Sequence, residues 1–288
     1  MRFLQSKVAF LVGLLMLLDI FIWYSVFASS LTEPKLYFLN VGQGDSQLVR
    51  LPGPYGRDIR MLIDSGPDKS VIHELEKSLP AGDQYIDLLI MTHAEADHLN
   101  GFIEILKRYS VGAFIYNGRG KDTANWSALA KELTDKKVPV IVLGEGDRIS
   151  YGSALLTFLS PGPEFIDSEA LNDTGLVSIL EAGGARTLFT DDIDSRVEDF
   201  LLKKYDLNID ILKVAHHGSK FSTSQAFLDE ATPKLAVIQV GKNNTYGHPN
   251  ADVVQRLEDS GVRVYRNDQN GTVELALKDG SAEVIKER

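Results

Sequence analysis

The largely apolar run Ile86-Asp87-Leu88-Leu89-Ile90-Met91 empties into Thr92-His93-Ala94-Glu95-Ala96-Asp97-His98, and that junction limits what the chain can become. A short apolar run bounded by polar residues reads as a buried strand. His93, Glu95, Asp97 and His98 are potential metal ligands crowded at its exit. Side chains alternate along an extended backbone, so His93, Glu95 and Asp97 can share one direction while His98 begins the next element. Imidazole and carboxylate both suit zinc, manganese or iron, and such a cluster can hold two divalent ions. The spacing therefore predicts a metallohydrolase. A polar loop rich in Asp, Glu and His could be no more than a loop. Five of the six histidines, however, fall in three short motifs: His93 and His98, His216 and His217, and His248. His73, on a predicted surface helix, is expected to be inert.

Composition narrows the chemistry. There is no cysteine, which excludes disulfides, thiolate nucleophiles and thiolate-bound zinc, so any metal must be held by nitrogen and oxygen. The formal net charge is −10, and the chain becomes slightly more acidic when Arg2, Lys7 and Asp19 of the N-terminal segment are set aside. No basic footprint for nucleic acid is present. A polyanionic substrate would be drawn in locally, by bound metal and a few Lys or Arg, against a repulsive overall field.

The N-terminus is a separate region. Val8–Ala28 carries a single charge, Asp19, and follows Arg2 and Lys7. Its length matches the ~20 apolar residues a helix needs to cross a bilayer. Positive charge before it and Trp23-Tyr24 near its far end predict a single-pass anchor, N-terminus inside and body outside. The alternative is a signal peptide cleaved near Val26-Phe27-Ala28, leaving a secreted protein. Residues 1–30 are thus expected to form a membrane anchor or signal segment, with residues 31–288 one catalytic domain.

Beyond a short linker, Ser29–Pro34, strand patterns fall at 35–41, 46–51, 60–63, 86–91, 113–116 and 138–143, with helices at 70–79, 98–109 and 125–136. The second half repeats the theme: strands at 154–159, 176–181, 186–190, 210–215, 234–240, 263–265 and 271–277, and helices at 195–205, 224–230 and 252–260. Mixed strands with interspersed helices predict an α/β (α+β) fold of two packed sheets covered by helices. Each candidate metal residue falls where a strand stops.

Other segments extend the site. Asp191-Asp192 closes a strand, where one carboxylate could bridge two ions, although Asp also caps helices. His216-His217-Gly218-Ser219 follows Ile211-Leu212-Lys213-Val214; adjacent histidines point opposite ways, so one is expected to bind metal and the other to support or touch substrate. Ser222-Thr223-Ser224 offers hydroxyl caps at a helix start, which a ligand-free helix would equally use. In Tyr246-Gly247-His248-Pro249, His248 could donate a proton or contact a phosphate, or be a structural turn residue. Asp45 and Asp64 stand beside glycines and read as supporting groups or turn formers.

Together these segments resemble the metallo-β-lactamase superfamily, in the branch related to the C-terminal domain of the competence protein ComEC/Rec2. The matching residues are 41–46, 62–66, 93–98, Asn172-Asp173-Thr174-Gly175-Leu176-Val177, 189–192, 212–219 and 246–249, in the family's order. The resemblance implies a four-layer αββα sandwich with two divalent ions, zinc or manganese, at the shared edge of the sheets. It implies a hydrolase, and for this branch a phosphodiesterase or nuclease acting on DNA outside the membrane. His93 and Glu95 would serve one ion, Asp97 and His98 the other; Asp192 would bridge, and His217, or alternatively His216, would complete the second site. Asp97 and His248 are the groups expected at the reaction, with Asp45, Asp64, Ser219 and Asn172 in support. Several positions depart from the family pattern. Glu95 stands where His or Asp is usual, the third-motif histidine is replaced by Asn172 or Asp173, Asp191 replaces a glycine and Asn250 a histidine. The weakened first site favours manganese. The alternatives are a hydrolase of a small ester, thioester, lactone or lactam, and a non-catalytic ectodomain with a degenerate site.

Overall fold

A computed structural model describes residues 2–28 and 32–287; residues 29–31 of the predicted linker lie outside the described residues. Helix α1 (Arg2–Ala28) precedes β1 (Lys35–Phe38), β2 (Gln47–Leu51), β3 (Ile59–Ile63), α2 (Ser70–Ser78), β4 (Tyr85–Ile90), α3 (Ala96–Arg108), β5 (Ser110–Tyr116), α4 (Ala124–Asp135) and β6 (Val140–Val142). The second half runs β7 (Arg148–Tyr151), β8 (Ala154–Ser160), β9 (Val177–Ala182), β10 (Ala185–Phe189), α5 (Ser195–Lys204), β11 (Ile211–Lys213), α6 (Gln225–Ala231) and β12 (Leu235–Ile238). It closes with α7 (Ala251–Asp259), β13 (Arg263–Arg266), a single turn α8 (Asn267–Asn270), β14 (Val273–Lys278) and β15 (Ser281–Glu287).

One sheet has the order β15-β14-β1-β2-β3-β4-β5-β6, the other β13-β12-β11-β10-β9-β8-β7. Both are mixed in the same way. In the first, pairing is antiparallel from β15 to β3 and parallel from β3 to β6. In the second it is parallel from β13 to β10 and antiparallel from β10 to β7. The sheets pack face to face through side chains such as Phe38, Met61, Phe158 and Phe189. Their outer faces are covered separately. Leu75, Phe102 and Leu129 bring α2, α3 and α4 onto the first sheet, and Val197, Phe227 and Leu257 bring α5, α6 and α7 onto the second. This is the expected pair of mixed sheets between helices. Sheets whose parallel strands are buried on both faces read as continuous apolar runs, which is why β4, β11 and β12 were legible.

Two strands escape the sequence pattern, β7 and β15. Both are the last strand on their edge of a sheet, where one side needs no apolar partner. The first strand ends at Phe38 rather than Val41, because Leu39 N–H turns to bond the carbonyl of Ser46 at 2.9 Å. Along α1, Phe10, Leu14, Met16 and Phe21 are exposed. Among the described residues no helix is long and apolar enough to cross a membrane.

Helix α3 is pressed against the loop after β3. Ser65 N–H and Oγ both donate to the carbonyl of His98 at 2.8 Å. A Cβ on Gly101 would lie 2.0 Å from the carbonyl oxygen of Ser65, so only glycine permits this approach. Gly101→Ala should therefore cost about 1–3 kcal/mol as overpacking. It should lower the denaturant midpoint and displace the helix that carries Asp97 and His98.

Candidate metal centre

Ligands in open α/β sheets bind beyond the carboxyl ends of the strands, where connection direction switches. Here two such ends meet. The exits of β3 and β4 bring Asp64 and the segment 92–98 from one sheet, and those of β10, β11 and β12 bring Asp191, Asp192, His216, His217 and Gln239 from the other. Asp64, Asp191, His216 and His217 all hold left-handed backbone, with φ of 56°, 55°, 50° and 53°. Non-glycine residues pay about 1–3 kcal/mol for such strained conformations, which persist where the surroundings over-determine them. The turns aim these side chains inward.

Asp97, His98, Asp192 and His217 form the main group, with ligand-capable atoms within 4.8 Å of one another. Asp192 Oδ2 lies 3.3 Å from His98 Nε2 and 3.3 Å from His217 Nε2, and Asp97 Oδ2 lies 3.4 Å from His217 Nε2. The other ring nitrogen of each histidine is already engaged. His98 Nδ1 donates to Asp64 Oδ2 at 2.9 Å, His217 Nδ1 to the carbonyl of Gln239 at 2.8 Å, and His93 Nδ1 lies 3.1 Å from Asp191 Oδ1. A protein acceptor on Nδ1 fixes the tautomer and leaves Nε2 as the free lone pair, the usual arrangement behind a metal-bound histidine. Nε2 of His93 and of His217 and Oδ2 of Asp191 are buried without a hydrogen-bond partner. Unpaired buried polar atoms are costly, so these converging lone pairs fit a divalent cation.

The electrostatics agree. Burial would push His98 and His217 down, but Asp192, Asp64 and Asp97 around the first, and Asp192 and Asp45 around the second, hold both well above the ordinary histidine value. Burial likewise opposes ionisation of Asp192, yet His217, His98 and Lys213 keep it well below the usual carboxylate range. The pocket favours positive charge at its centre.

The remaining expected residues scatter. Glu95 precedes the first turn of α3 and reaches Lys121 at 3.2 Å, away from the cluster. Asp97, in that first turn, also suits the helix N-terminus electrostatically. His216 is partly exposed, its Nε2 3.9 Å from Asp192 Oδ2. His248 sits at the rim, its ring 5.8 Å from that of His216 and 6.5 Å from that of His217, with Tyr246 stacked outside it. Ser219 is occupied by its own loop, where its Oγ accepts from Phe221 N–H at 3.4 Å. Asn172 bonds Gly175 N–H through its backbone carbonyl, and Asp173 pairs with Arg196. Neither Asn172 nor Asp173 belongs to the ligand groups found among the described residues. His73 is exposed on α2.

Four residues that sequence reasoning left out, or read differently, take part. Asp191 faces His93, and the space for it exists because residue 175 is glycine, where a Cβ would lie 1.7 Å from Asp191 Oδ2. Thr92 Oγ1 lies between Asp64 Oδ2 at 2.7 Å and Asp191 Oδ1 at 2.8 Å. Lys213 is buried and ion-pairs with Asp45. Gln239 ties the two sheets by donating to the carbonyls of Leu39 at 3.1 Å and Ser46 at 2.9 Å. A lysine inside an apolar strand was the one available signal, since a buried ammonium requires counter-charges.

Residues 39–242 match the family model for the metallo-beta-lactamase superfamily. The chain belongs to that superfamily, and its fold and His/Asp cluster are those of a metal-dependent hydrolase. Within the superfamily it stands in the ComEC/Rec2-like branch. It is 32% identical over 271 residues to ComE operon protein 3 of Bacillus subtilis, covering 86% of this chain and 33% of the relative. It is 28% identical over 278 residues to competence protein ComA of Neisseria gonorrhoeae, covering 95% of this chain and 36% of the relative. The chain thus spans about a third of the length of these curated relatives. Among solved structures, the metallo-beta-lactamase fold protein YhfI from Bacillus subtilis superimposes with a TM-score of 0.53 at 13% identity, covering 84% of this chain and 100% of that one. That likeness is one of fold.

Proposed function

We propose that this protein is a metal-dependent phosphodiesterase or nuclease held at a membrane by α1, with its hydrolase domain outside the cytoplasm. The observation that carries the reading is the group Asp97, His98, Asp192 and His217, in which protein acceptors on Nδ1 turn both imidazoles toward two carboxylates. A donor set with this share of carboxylate oxygen suits manganese as well as zinc. Descent shared with competence proteins supports a phosphodiester such as DNA as substrate. The exposed apolar side chains of α1 support membrane attachment.

A bound divalent ion would supply Lewis-acid polarisation of a phosphoryl oxygen. The chain's own residues do the rest. Asp97 and Asp192 present acceptor oxygens, and Asp64 and the Gln239 carbonyl fix the rings of His98 and His217. His248 stands at the open side, where burial and the neighbouring His217 and His216 hold its pKa below the ordinary value. A neutral imidazole there can accept or return a proton beside the leaving oxygen. The acidic body favours a short substrate segment entering at the mouth over a long duplex track.

Detergent-solubilised full-length protein with manganese should cleave an aryl phosphodiester and single-stranded DNA. Activity confined to a lactone, thioester or lactam would favour the small-ester reading, and inactivity on every substrate would favour the ectodomain reading. Chelation should lower the melting temperature by several degrees, because an ion at a thousandfold its Kd stabilises the folded state by about 4 kcal/mol. A melting temperature indifferent to chelator and to added manganese or zinc would argue against the centre.

A further inference from the structure

The two oxygens of Asp192 face different partners, and the second of them bears on how many ions the centre takes. The argument rests on the reading that the cluster binds a divalent ion. Asp192 Oδ2 lies among His98, His217 and Asp97. Asp192 Oδ1 lies 3.5 Å from Lys213 Nζ, which also donates to the carbonyl of Asp191 at 3.0 Å and ion-pairs with Asp45. Lys213 is 1% exposed and Asp45 fully buried. An ammonium between two buried carboxylates stays charged, since its neutral form would leave both uncompensated.

The residues that would serve a second ion are committed elsewhere. Glu95 is turned to Lys121. His98 approaches Asp191 through Nδ1, at 3.7 Å, the nitrogen it gives to Asp64. Asp191 Oδ1 is engaged by Thr92 and His93. That leaves His93 Nε2 and Asp191 Oδ2, too few protein donors for a tight site.

We infer that the centre takes a single divalent ion, held by Asp97, His98, Asp192 and His217, and that the Lys213 ammonium supplies the positive charge a second ion would bring to the far oxygen of Asp192. Lys213 is on this account a positioning residue. It neutralises Asp45 and fixes the orientation of the Asp192 carboxylate.

Manganese titration of the full-length protein, with elemental analysis, should give one tight equivalent per chain. Two equivalents of comparable affinity would overturn the inference while leaving the metal-centre reading intact; no bound metal would overturn both. The electron paramagnetic resonance spectrum at saturating manganese should be that of isolated ions, and an exchange-coupled spectrum would overturn the inference without any variant. Lys213→Met should raise the stoichiometry from one to two, because Asp45 and Asp192 Oδ1 become free. A folded variant that stays at one equivalent, or loses it, would overturn the role given to the lysine; if the variant does not fold, the wild-type spectrum decides. Glu95→Ala should leave the single equivalent and its affinity unchanged, whereas a tenfold or greater loss of affinity would overturn the assignment.

Discussion

Asp192→Asn should strip the protein of its divalent ion and its hydrolytic activity together, while the fold persists. Asparagine matches aspartate in shape, so the packing at the β10 exit is kept. What disappears is the negative charge that faces His98, His217 and Lys213. Altering a group that merely orients a ligand typically costs 10–100-fold in metal affinity. Removing a ligand at the centre of the group should cost about a hundredfold or more. Equilibrium dialysis with manganese or zinc, alongside circular dichroism, separates lost binding from lost structure. Wild-type metal affinity in the folded variant would show that the ion sits elsewhere.

Arg60→Met should produce the largest loss of stability unrelated to the centre. Arg60 is buried on β3, and its guanidinium reaches Asp58 Oδ1 at 2.9 Å, Asp83 Oδ2 at 2.6 Å and the carbonyl of Tyr85 at 3.0 Å. Breaking a buried pair by removing one partner costs about 3–5 kcal/mol, because the other charge stays buried. Arg50 still engages Asp58, which places the expected cost at the lower end. The pH dependence has a definite sign. Burial raises the pKa of Asp58, but Arg60 and Arg50 outweigh it and hold the carboxyl below its ordinary value. A depressed carboxyl adds stability above its unfolded pKa, about 3.9, and that stability is lost as pH falls through the folded value. The gap between wild type and variant should be full at neutral pH and shrink in acid. Metal stoichiometry should not change, so a variant that loses the ion along with its stability would contradict the separation of the two networks.

Much of the centre could be read before any coordinates, because its residues interrupt apolar runs at strand ends. His93, His98, Asp192 and His217 each follow a buried strand, and the structure brings them together. Glu95 was harder to place. Strand geometry would have put it beside His93 and Asp97, but α3 begins at Ala96, before the predicted His98, and the change of period turns Glu95 outward. Asp191 was set aside as a departure from the family pattern, although its position is shaped by a glycine sixteen residues earlier in the chain. Contacts of that kind leave no local periodicity. Lys213 and Gln239 were similarly hidden, since each owes its role to partners on the opposite sheet. The edge strands β7 and β15 left little trace because polar residues are tolerated there.

The closing hairpin of the first sheet has a consequence for synthesis. Strand β1 pairs on one side with β2, its near neighbour in the chain, and on the other with β14, Lys35 opposite Ala276. Until the last part of the chain emerges, β1 carries a row of unsatisfied N–H and C=O groups next to the apolar Leu36 and Phe38. Such an open edge is a template for pairing with another chain, and pairing across so long a sequence separation is slow. A nascent or truncated chain that stops short of β14 should therefore be prone to self-association. Any fragment designed to isolate the metal-binding half must carry its own cover for that edge.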